Sequence, residues 1–102
     1  MIRTFRHKGL AELWETGRTG RIDRRLHKRI LVRFDVLDKA LRLEDLNVPG
    51  LGFHRLQGFA PPRYTVHVNG PWCVAFEWDA GDAVKVVVEG VGELINPVER
   101  EK

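Results

Sequence analysis

The stretch between Arg63 and Glu89 constrains the fold most. It holds three alternating segments separated by two turn signals. Residues 63–68 place Tyr64, Val66 and Val68 on one side. Residues 72–78 do the same with Trp72, Val74, Phe76 and Trp78, and residues 83–89 with Val84, Val86 and Val88. Successive side chains of a strand point to opposite faces, so this period predicts three half-buried strands. Asn69-Gly70 signals a first hairpin, with Pro71 leaving its turn type open, and Asp79-Ala80-Gly81-Asp82 signals a second. The result is an antiparallel meander. Its other face carries Arg63, Thr65, His67, Cys73, Ala75, Glu77, Lys85, Val87 and Glu89, and a site on the sheet draws on that face. Residues 51–57 offer a preceding edge strand with poor alternation.

Ahead of the meander the period changes. Residues 2–5 read as a short strand. Leu10, Leu13 and Trp14 then share one face of a helix over residues 7–16, and Gly17 and Gly20 bracket a turn. Asp23 is a plausible N-cap for a helix over about 23–41. Its apolar stripe runs Leu26, Ile30, Phe34, Leu37 and Leu41, while Arg24, Arg25, Lys28, Arg29 and Arg33 occupy the remaining surface. A strand, a helical hairpin and a meander in that order predict an α+β domain, with both helices packed on one sheet face. Residues 1–89 form the domain, and residues 90–102 read as a C-terminal extension.

A length of 102 residues fits one domain with one modest core. The apolar runs are too short to span a bilayer, and no signal-peptide pattern follows the charged start, so the chain reads as cytoplasmic and without a membrane role. A single cysteine, Cys73, excludes an internal disulfide and a cysteine-rich metal site. Charge is unevenly placed. Residues 1–42 hold 12 Lys and Arg against 5 Asp and Glu, whereas residues 43–102 hold 5 against 9. A basic surface of this kind attracts polyanions or an acidic partner segment, though a solvated helix face has the same composition. Trp14, Trp72 and Trp78 fall on apolar faces and read as core rather than base-stacking platforms. His7 and His27 read as surface residues, and Cys73 as a small packed side chain rather than a nucleophile.

Taken in order, several segments resemble the HigB-type toxins of the RelE/ParE superfamily. Residues 1–10, Met-Ile-Arg-Thr-Phe-Arg-His-Lys-Gly-Leu, resemble the opening of that family. Glu15-Thr16-Gly17 fits its first helix end, and residues 43–50 fit its link into the sheet. Phe53-His54-Arg55-Leu56-Gln57-Gly58 is similar to the family's Leu-His-Pro-Leu-Lys-Gly, and Val68-Asn69-Gly70-Pro71-Trp72 to Val-Asn-Gly-Asn-Trp. Gly81-Asp82-Ala83 fits the last turn. The resemblance implies a RelE-like fold and a toxin that cuts mRNA on the translating ribosome, without metal or cofactor. It also implies a HigA-like helix-turn-helix antitoxin, with operator DNA contacted only through that antitoxin.

Such cleavage uses the substrate 2′-hydroxyl as nucleophile. It needs a base, an acid and positive charge at the phosphorane. The resemblance assigns a catalytic role to His54. It finds Gln57 where the family has Lys, Cys73 where it has Arg, Gly90-Val91-Gly92 where it has Asp-Tyr-His, and Glu77 at an often basic position. A site rebuilt from RNA-binding Arg55, Arg63, His67 and Lys85 is one consequence. Arg55 replaces the missing charge only if a bulge turns it toward His54's face. Arg24, Arg25, Lys28, Arg29 and Arg33 are the candidate contacts to the ribosome or the antitoxin. Two alternatives stand beside the nuclease: an impaired toxin-like domain that acts by binding antitoxin or ribosome, and a freestanding RNA-binding regulator.

Overall fold

A computed structural model describes residues 1–90. Helix α1 spans Lys8–Thr16 and helix α2 spans His27–Lys39. Strands β1 (His54–Arg55), β2 (Arg63–Asn69), β3 (Trp72–Asp79) and β4 (Asp82–Gly90) follow. The strands lie in the order β1-β2-β3-β4, each antiparallel to its neighbour. This is the predicted α+β arrangement, with both helices on one face of the sheet.

The helix stripe and the strand faces meet as their periods require. Leu10, Leu13, Leu26, Ile30, Phe34 and Leu37 pack in one cluster with Val66, Val68, Val74, Phe76, Val86 and Val88, all fully or nearly fully buried. Phe34 sits at its centre, tilted against Phe5 at 5.3 Å and edge-on to Trp14 at 6.0 Å between ring centroids. Tyr64, Trp72 and Trp78 pack against the cluster from its margin, as expected of core aromatics.

Several local details differ from expectation. Residues 24–26 form a 3-10 turn before α2, and α2 stops at Lys39. Leu41 therefore leaves the stripe and is 82% exposed. The N-terminal segment forms isolated parallel bridges to β4, Ile2 with Ala83 and Phe5 with Val86, instead of a regular strand. The edge strand expected over residues 51–57 shrinks to His54 and Arg55. The first hairpin closes between Asn69 and Trp72, so Gly70 and Pro71 form the turn; Gly70 supplies the positive φ of 56° that the tight turn needs. The second closes between Asp79 and Asp82 around Ala80 and Gly81, both at positive φ. His7, expected on the surface, accepts the Gly9 N–H through Nδ1 and caps α1. His27 is half-buried, with Nε2 2.9 Å from the Ile22 carbonyl oxygen.

The largest correction lies in β4. Ala75 opposes Val87 and Glu77 opposes Val84, so Phe76 faces both Lys85 and Val86. Lys85 takes a φ of 53° and forms a β-bulge. The extra residue reverses the alternation. Ala83 turns to the core, and Val84, expected there, joins Glu77 on the other face. Strand β4 runs through Gly90, and residues 91–102 of the expected extension lie outside the described residues.

Candidate functional site

Cross-strand partners share a face, so the register builds the surface away from the helices row by row. One row contains Arg63, Glu77 and Val84. The next contains His54, Thr65, Ala75 and Val87. The third contains His67, Cys73 and Glu89. Thr65, Cys73 and Ala75 are small and buried and make a floor.

His54 stands exposed at one corner of this floor, opposite Thr65. Arg55 pairs with Tyr64 and so belongs to the opposite face, with no bulge in β1 to return it. Arg63 lies two residues from Thr65, on the diagonal from His54, where neighbouring residues are about 7–8 Å apart. Lys85 lies on β4, three strand spacings from β1, or about 14 Å. His54 and Lys85 therefore stand at opposite margins of this face. Of the anticipated residues, Arg63 and His67 flank Thr65 on this face and are His54's two diagonal neighbours.

Arg63 is only 5% exposed, which the alternation alone did not indicate. Its Nη1 is 3.6 Å from Glu77 Oε2, and Glu77 Oε1 is 3.6 Å from Lys85 Nζ. The Phe59 ring lies over the guanidinium, 6.0 Å from its carbon. Among the described residues, neither terminal guanidinium nitrogen has a hydrogen-bond acceptor, and both are shut from solvent. Buried donors left unpaired are costly, so this corner is tense and ready to accept an oxygen. Glu77 is the residue that sequence reasoning undervalued. It was visible only as an acidic departure, whereas its place between Arg63 and Lys85 depends on strand register.

The remaining candidates are occupied in different ways. His67 has Nε2 3.0 Å from the Gly70 carbonyl oxygen, and its backbone carbonyl accepts the Arg33 Nε–H at 2.8 Å. Gln57 is exposed beside β1. Burial, and then the nearby Glu89 carboxylate, push the Cys73 thiol above its ordinary pKa, so it stays a packed thiol. We expect Cys73 to resist iodoacetamide in the folded chain and to react once urea is added. Rapid labelling of the native protein would contradict that burial. Among the described residues, no group of three or more His, Cys, Asp and Glu is placed to hold a metal ion. No helix there is long and apolar enough to cross a membrane.

The five basic residues around α2 separate into two groups. Arg25 is doubly hydrogen-bonded to Asp23, and its guanidinium lowers the Asp23 carboxyl to about 2. That contribution is complete above the ordinary carboxylate range and is lost as pH falls toward about 2. Arg33 is committed to the sheet edge through His67. The side chains of Arg24, Lys28 and Arg29 are exposed and make no ion pair or hydrogen bond among the described residues.

Comparison with known proteins agrees with this architecture. Residues 3–90 match the family described as RelE-like toxin of type II toxin-antitoxin system HigB. The chain is 32% identical over 83 residues to the Endoribonuclease HigB of Proteus vulgaris, covering 81% of this chain and 90% of that protein. With the meander, the two helices on one face and His54 at the corner of the other, the chain belongs to the HigB family of RelE-like toxins, the toxin halves of type II toxin–antitoxin pairs.

Proposed function

We propose that this chain is a metal-independent endoribonuclease that cuts mRNA on the translating ribosome, restrained by a HigA-like helix-turn-helix antitoxin. The observation that carries the reading is the corner shared by His54 and Arg63. An exposed imidazole there stands diagonally across the strands from a guanidinium whose terminal nitrogens have no hydrogen-bond acceptor among the described residues. His54 acts as the acid or base on the 2′-hydroxyl or the leaving oxygen. Arg63 takes the phosphorane charge once Phe59 swings aside, and its donors gain the acceptor they lack. Lys85, 54% exposed at the far edge, holds a different phosphate of the same strand. Operator DNA is reached only through the antitoxin.

A second reading is favoured by Glu77, whose carboxylate offsets both Arg63 and Lys85, together with uncharged Gln57. In that reading the domain binds antitoxin and ribosome but cuts poorly. Primer extension on mRNA incubated with the purified chain separates the two. New 5′ ends that appear only with translating ribosomes are expected, and Gln57→Lys, at an exposed position, should increase them. Ribosome binding without cleavage, in both wild type and Gln57→Lys, would support the binding domain instead.

A further inference from the structure

We propose that the solvent side of α2 is the groove in which an acidic, apolar-anchored segment of the antitoxin docks; this rests on the chain being the toxin of a pair. Adjoining depressions run along this side. The central one, of 490 Å³, is floored by Leu31, Val32 and Val36, with His27 and Lys28 at one end and Asp35 at the other. It shares His27 with a depression between the end of α1 and the turn before α2, lined by Glu12 as well as Arg24, and shares Asp35 and Val36 with one that continues to Ala40 and Asp45. The central depression follows α2 from His27 to Val36, about 14 Å along the helix axis.

Charge and apolarity choose the occupant. Val32 is 48% exposed, and Leu31 and Val36, half-buried against the core, leave part of their surface beside it. The end nearest residue 24 is lined by Arg24 and Lys28 and flanked by Arg29, the three cations whose side chains have no partner among the described residues. An RNA strand would use the cations but gains little from an aliphatic floor, since bases stack on aromatic rings and the central depression has only His27, at its end, among three aliphatic side chains. A peptide helix with aliphatic anchors three and four residues apart uses the floor, and carboxylates at one end use the cations.

The test is calorimetric titration of the full chain with the purified product of the adjacent antitoxin gene. Val32→Glu with Val36→Glu is expected to weaken binding at least about 30-fold, the loss typical of a central anchor. Val32→Glu alone, at an exposed position that the fold tolerates, should give most of that loss. Lys28→Glu should weaken binding about tenfold and reduce its salt dependence. His54→Ala should bind like the wild type. Unchanged affinity in the folded valine variants would overturn the groove while leaving the pairing intact. Normal antitoxin binding with lost ribosome co-sedimentation would overturn it in favour of an RNA contact. No binding by the wild-type chain would overturn the pairing itself, and the groove with it.

Discussion

Replacing His54 with alanine should slow ribosome-dependent mRNA cleavage about 10²–10⁴-fold, the range that one general acid or base supplies. The substitution is structurally mild. His54 is exposed on a two-residue edge strand and makes no side-chain hydrogen bond among the described residues. Its backbone pairing with Thr65 does not depend on the imidazole. Stability should therefore stay within about 0.5 kcal/mol of the wild type, as for surface changes generally. The informative combination is relief of growth arrest on induction, retained antitoxin binding and an unchanged denaturation midpoint. Cleavage at the wild-type rate with alanine at position 54 would remove His54 from the chemistry. The search would then turn to Arg63, His67 and Lys85, the other basic groups of that face.

Glu77→Gln should lower the unfolding free energy by about 3 kcal/mol. Removing one partner of a buried ion pair leaves the other charge uncompensated, which typically costs 3–5 kcal/mol. The Arg63 side chain is 7% exposed and that of Glu77 12%, so solvent screens this pair little. Lys85 is 54% exposed, and its share of the interaction is correspondingly weak. Urea denaturation with an unchanged slope measures the loss. The double substitution Arg63→Met with Glu77→Leu should recover most of it, because an apolar pair of similar volume avoids the desolvation cost of both ions. A Glu77→Gln variant as stable as the wild type would mean that the guanidinium is solvated, contrary to its burial. Arg63 and Lys85 stand on either side of the Glu77 carboxylate.

Much of the architecture was written in local pattern. The alternation of Val66, Val68, Val74, Phe76, Val86 and Val88 and the stripe Leu26, Ile30, Phe34 and Leu37 each define a face that can only be buried against the other. The same alternation placed His54's eventual neighbours, Arg63 and Thr65, on the polar side before any register was known. What alternation lacks is depth. Arg63 and His67 read alike from sequence, yet one is buried beneath Phe59 and the other exposed at the sheet edge. Nor does a run of arginines reveal which are already committed. Arg25 and Arg33 are held by Asp23 and a backbone carbonyl, while Arg24, Lys28 and Arg29 stay available.

The sequence by itself determined the two helices, the three long strands, their order and most of the faces they bury, because side-chain period follows from backbone geometry within a few residues. Only the tertiary structure decided the β4 bulge at Lys85, the pairing of Ile2 and Phe5 with β4, and the lodging of Glu77 between Arg63 and Lys85. These depend on partners distant in the chain. A one-residue shift in register reverses which face a side chain joins, as Val84 shows, and no local pattern carries that information.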